Sequence, residues 1–110
     1  MDYQSYIEKF GQLNGLQSVS FILQNEGNKI ISSHQNEKIN DDLVEKLGNF
    51  LAEEVLDLNI KHFQISQGNF KILAYLEEKT IILLFVNKKV PLEDYKKVIN
   101  DLLNQILISQ

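Results

Sequence analysis

The segment "FKILAYLEEKTIILLFVN", residues 70–87, constrains the fold more than any other part of the chain. Its second half, "IILLFV" from Ile81 to Val86, is an unbroken apolar run. A strand with one face in water alternates apolar and polar residues; a continuous run is covered on both faces. The run therefore predicts a central strand with a layer packed on each side. The short "EK" turn before it makes the preceding strand its antiparallel neighbour.

The rest of the chain supplies the two layers. Tyr3, Tyr6, Ile7, Phe10 and Leu13 recur at helical spacing, and Gly11 and Gly15 end that helix within "GQLNG". "VSFIL" alternates, with Val19, Phe21 and Leu23 opposite Ser18, Ser20 and Ile22. "QNEGNK" is a turn with Gly27 at positive φ, and "KIISSH" is the returning strand. A helix follows to about Leu58, with Asp42 expected as its cap and Glu45 completing a capping box. "IKHFQIS" is an edge strand, "QGN" a turn, and a last helix begins with Pro91 in its first turn. The expected class is α/β of the α+β type, in the order α-β-β-α-β-β-β-α, as one domain over residues 1–110.

Composition excludes several functions. The net charge of −4 offers no electrostatic footprint for nucleic acid. The longest apolar run is far short of the ~20 residues a membrane helix needs, so no direct membrane insertion is expected. The start "MDYQSYIEKF" lacks the basic and apolar blocks of a secretory leader, and a cytoplasmic location is the expectation. There is no Cys, hence no thiolate nucleophile and no Cys-based metal site.

Chemistry-bearing motifs are missing as well. His34 and His62 have no Cys or third His to complete a metal site. The acidic neighbours Asp41–Asp42, Glu53–Glu54, Glu77–Glu78 and Glu93–Asp94 read as helix caps, helix surface or turns, since adjacent helical residues do not face each other. The glycines form no phosphate-binding pattern. Lys88–Lys89 and Lys96–Lys97 read as solvated loop and helix face. Neither catalysis nor a cofactor nor a metal is expected.

One local feature asks for a partner. Gly48 interrupts the helical stretch "EKLGNFLAEEVL", at a cost of about 1 kcal/mol relative to Ala. On a helical wheel Leu43, Val44, Leu47, Phe50, Leu51, Val55 and Leu58 form an arc wide enough to cover a sheet. Gly48, Ala52 and Leu56 form a flanking row at four-residue spacing, the ridge used when helices cross closely. A second copy of the same helix is the economical occupant of that row.

The element order, the hairpin "LQSVSFILQNEGNKIISS", the helix after an acidic cap and "FKILAYLEEKTIILLFVN" together resemble the roadblock/LC7 family over about Ile7 to Ile106. The resemblance implies a sheet ordered 2-1-5-4-3, with the middle helix on one face and the terminal helices on the other. It implies that the middle helix and third strand pair with a second copy or a related roadblock chain. The interface would then hold Gly48, Ala52, Val55, Leu56, His62, Phe63, Gln64 and Ile65. Family members are non-enzymatic scaffolds or regulators of small Ras-like GTPases, or light chains of motor complexes. A GTPase would contact the outward helix residues Lys46, Asn49, Glu53 and Asp57. With no Arg in the chain, an arginine finger is not available, and any effect would come from tethering or positioning the switch regions. The alternative from another class is a small-molecule sensor of PAS or GAF type.

Overall fold

Strand β5, Thr80–Asn87, runs through the middle of a five-stranded antiparallel sheet in the order β2-β1-β5-β4-β3. The computed structural model describes residues 2–55, 61–77 and 79–109. The other elements are α1 (Tyr3–Gly11), β1 (Leu16–Leu23), β2 (Lys29–His34), α2 (Asp41–Glu54), β3 (His62–Gln67), β4 (Phe70–Leu76) and α3 (Glu93–Ser109). Every residue of β5 from Thr80 to Val86 is buried, as its unbroken apolar run requires.

The strand alternation divides the core into two halves. Ile82, Leu84 and Val86 join Val19, Phe21 and Leu23 of β1 and the apolar sides of α1 and α3. Ile81, Leu83 and Phe85 join Ile22, Ile72, Ala74 and the inner residues of α2. The terminal helices share one face of the sheet, and α2 lies on the other. Polar groups tie the terminal helices together. Tyr6 donates to Asp101 at 3.2 Å, Lys9 lies 3.5 Å from the same carboxylate, and the buried Tyr95 hydroxyl donates to the Asn14 carbonyl at 2.8 Å. Burial pushes the Tyr95 phenol up to about 12.

Local signals act where backbone geometry demands them. Gly27 adopts φ 69° and is followed by Asn28 at φ 60°, so the β1–β2 turn needs two left-handed residues. Two sequence expectations are corrected here. The cap of α2 is Asn40, whose side chain accepts from the Leu43 amide at 2.9 Å, and not Asp42. Asp41 and Asp42 instead occupy the first turn, where the positive helix end favours them. Pro91 precedes α3 instead of entering it, because the first backbone bond of the helix runs from Lys96 N–H to the Leu92 carbonyl.

Candidate functional site

Helix α2 approaches β1 closely, and Gly48 makes that possible. Gly48 is buried, and a Cβ built there would collide with Ile22 Cδ1. The β1 residues on this face are otherwise small, Ser18 and Ser20. The missing side chain is therefore used inside the chain, against Ile22. For Gly48 this supplies a reason within the chain where the sequence reading of the Gly48–Ala52–Leu56 row invokes a second helix. The centre of the inward face is Val44, Gly48 and Leu51, flanked by Ala52 and Val55, which pack partly buried on the same core. Leu56 and Asp57 lie outside the described residues.

Rotating the inward face in this way leaves apolar residues on the other flank. Leu43 is 40% exposed and Phe50 54% exposed, with the half-buried Leu47 between them. The apolar arc of the helical wheel includes all three. A flat wheel weights every apolar residue equally, whereas the helix turned so that Gly48 could meet Ile22. The three residues form an apolar ridge at three- and four-residue spacing.

The ridge borders a groove of about 610 Å³. Leu43, Leu47 and Ile39 line one wall, Ile65, Ile72, Phe70 and Phe85 the floor, and Gln17, Asn36, Lys38, Asn69 and Asn87 the ends. The Gln17, Asn36 and Asn87 amides already serve the fold. Asn36 donates to Gln17 at 3.0 Å and accepts from the Lys38 amide at 2.9 Å, and Asn87 accepts from the Lys89 amide at 3.1 Å. The groove exists because α2 covers the β2–β1 half of its sheet face and leaves the β4–β3 half open.

Strand β3 forms the open side of this groove and an edge of the sheet. Phe63 and Ile65 point to the α2 face and pack partly buried on its core. His62 and Gln64 alternate to the other face and are exposed, with His62 stacked on Tyr75 at 5.6 Å. Smaller clefts of about 290 and 220 Å³ flank this His62–Tyr75 pair. Of the residues expected to meet a partner on α2, Lys46, Asn49 and Glu53 are all exposed on the outward side.

A polar chain ties the start of α2 to the sheet. His34 Nδ1 lies 2.7 Å from Ser18 Oγ, and His34 Nε2 lies 2.7 Å from Asp41 Oδ1. Ser32 Oγ donates to the same Asp41 oxygen at 2.7 Å. The His34 and Ser32 bonds hold the Asp41 carboxyl below the usual carboxylate range. The order Ser–His–Asp resembles a nucleophile–base–acid relay, yet Ser18 is fully buried and no substrate reaches it. Its role is a clip between β1, β2 and α2. In the sequence His34 is only the last residue of "KIISSH", because its partners are brought together by the hairpin and the loop before α2. Among the described residues no group of three or more His, Cys, Asp or Glu could hold a metal ion.

No family model matches the sequence, and no curated protein matches it. Solved structures do. MglB of Myxococcus xanthus superposes with a TM-score of 0.68 at 15% identity, over the whole of both chains. MglC of Myxococcus xanthus superposes with a TM-score of 0.64 at 10% identity, again over the whole of both chains. Both are roadblock/LC7-family proteins, and the fold of this chain is roadblock/LC7-like. At such identities the likeness establishes the fold alone.

Proposed function

We propose that this chain is a non-enzymatic platform that pairs through α2 and β3 and carries a small Ras-like GTPase on the outward side of α2. One observation carries the reading. An exposed apolar ridge, Leu43–Leu47–Phe50, lies beside an apolar groove that opens onto an edge strand. Contiguous apolar surface next to an unpaired strand edge marks a protein contact. Both halves of the contact are on one molecule, so a two-fold arrangement is self-complementary: the Phe50 ring of one copy fills the groove of the other. The interface under this reading comprises Leu43, Leu47, Phe50, Phe63 and Ile65, with Ala52 and Val55 at its margin and without Gly48. A related roadblock chain would present an equivalent surface.

The GTPase is brought in by the roadblock/LC7-like fold and by the exposed side of α2 that bears Lys46, Asn49 and Glu53. Because the chain contains no Arg, the platform acts by holding the GTPase or its switch segments in one of their own conformations. A cytoplasmic setting belongs to this reading. Among the described residues no helix is long and apolar enough to cross a membrane.

The test is sedimentation of wild type and Phe50→Asp, followed by capture from native host lysate with GDP or a non-hydrolysable GTP analogue. Wild type is expected to sediment as a dimer and to enrich a Ras-like GTPase in one nucleotide state. Phe50→Asp is expected to be a folded monomer. A monomeric wild type removes the pairing, and absence of any GTPase removes the partner.

A second reading is supported by the volume of the groove, which falls in the range of small-molecule sites. Under it the chain is a sensor, and an apolar ligand replaces the second copy. Ligand-dependent stabilisation of a monomer would favour it over the platform.

A further inference from the structure

The groove between α2 and the β4–β3 half of the sheet is chemically lopsided. Its wall and floor are aliphatic and aromatic, and among the described residues that line it Lys38 alone is ionisable. Lys38 is exposed and has no ion-pair partner among the described residues. The loop that carries it is anchored on both sides. Before it, the Gln35 and Asn36 N–H groups donate to the Gln17 carbonyl at 2.9 and 3.2 Å. After it, Ile39 is buried in the core and donates to the Asn36 carbonyl at 3.0 Å. A cation therefore stands at the rim of an apolar cavity, and no carboxylate of the cavity meets it.

The rim amides differ in what they have left to offer. Gln17 donates to the Gly15 carbonyl at 3.2 Å and accepts from Asn36, so Gln17 and Asn36 are both committed to the fold. Asn87 uses only its oxygen, on the Lys89 amide, and its NH2 has no partner among the described residues. Asn69, paired to this end of β5 through its carbonyl and the Lys88 N–H at 2.8 Å, keeps its whole side-chain amide. One ammonium and two NH2 groups thus remain as donors around the mouth of the groove.

We infer that the groove binds a medium-chain aliphatic monocarboxylate, with the tail between Leu43, Leu47, Ile72 and Phe85 and the carboxylate at the rim on Lys38. The inference rests on the reading of the groove as a small-molecule site, and it names that ligand's chemistry. An apolar lining with a few polar groups at one end is the usual build of such a site, and about 610 Å³ is an ordinary volume for it. The charge selects the head group. A half-buried anion needs a partner, and the single cation here balances a single negative charge. A phosphate dianion would keep one charge unmatched, and an amine would meet Lys38 with no carboxylate beside it. Under the pairing reading the Phe50 ring of a second copy takes the same space, so the carboxylate and self-association compete.

The probes are hexanoate, octanoate and decanoate below their micelle concentrations, titrated into isotope-labelled protein, with octanol as the uncharged control. The expected result is shifts centred on Leu43, Leu47, Ile65 and Ile72, and an affinity that rises about tenfold for every two CH2 groups added. Lys38→Met is expected to bind octanoate about fivefold more weakly and octanol unchanged, and Lys38→Arg to bind octanoate as wild type does. Lys89→Met, a lysine outside the groove, is expected to leave both affinities as they are. Octanol that binds wild type as tightly as octanoate, or a Lys38→Met variant that binds octanoate undiminished, overturns the carboxylate and keeps the groove as an apolar site. Binding of neither probe, or shifts away from the groove, overturns the inference and the small-molecule reading together. A dimer in sedimentation that persists with octanoate in the groove keeps the inference and removes Phe50 from that space.

Discussion

The two faces of the sheet are built from the same strands and end in opposite states. On one, α1 and α3 cover β1, β5 and β4 and seal a core that includes Phe10, Tyr95, Ile99 and Leu102 at 1% exposure or less. On the other, the single helix α2 covers half the surface and leaves a groove of about 610 Å³ over β4 and β3. Two helices suffice for a twisted five-stranded sheet; one does not. The half-covered face leaves Leu43 and Phe50 exposed beside a groove where, among the described residues, no further element lies over the sheet.

The contrast is sharpest at the strand the faces share. Leu83→Asp would put a charge into the α2-side core beneath β5, at a cost above about 4 kcal/mol, and no cooperative unfolding transition is expected. A soluble, cooperatively melting Leu83→Asp protein would mean that β5 is not buried on both faces. Gly48→Leu should cost about 2–3 kcal/mol of monomer stability, since the added side chain has to displace the buried Ile22. Gly48→Ala should be close to neutral, because about 1 kcal/mol of helix propensity offsets a rotation of the Ile22 tip. A Gly48→Leu variant that melts like wild type but fails to self-associate would restore Gly48 to the interface.

Smaller effects separate surface from clip. Phe50→Asp should change monomer stability by no more than about 0.5 kcal/mol while abolishing self-association in sedimentation. Loss of the fold in that variant would place Phe50 in the core after all. Asp41→Asn should cost less than about 1 kcal/mol, because the carboxylate is largely exposed and screened. The folded-state pKa of Asp41 is lowered, so its contribution is present above the unfolded value of about 4 and is lost as pH falls through the lower folded value. Urea melts from pH 7 down to pH 2 should therefore show a steeper acid loss for wild type than for Asp41→Asn. Parallel curves would mean that the His34–Asp41 clip contributes nothing.

Much of the fold was legible because its signals are local. The run Ile81–Val86, the alternation of Val19, Phe21 and Leu23, and Gly27 in the hairpin turn all appear in the structure as read. Backbone capping was less legible: Asn40 and Asp42 both suit a cap, and the choice depends on where the preceding loop delivers the chain. The candidate site was legible only in part. The edge position of β3 and the outward side of α2 followed from pattern, but the apolar ridge and the groove did not. Phe50 and Leu43 belong to the same apolar arc as Val44 and Leu51, and nothing in the residues themselves says which of them the sheet will cover.

By itself, then, the sequence determined the element order, the central place of β5, the division of strand residues between two core halves, and the absence of Cys and Arg chemistry. These follow from periodicities of two and 3.6 residues and from composition, which need no neighbour to be read. Only the tertiary structure decided the rotation of α2 about its axis. One buried contact, Gly48 over Ile22, set that angle, and with it which apolar side chains entered the core and which stayed exposed. A helix can be recognised from its own residues, but its orientation is chosen by the surface it packs against.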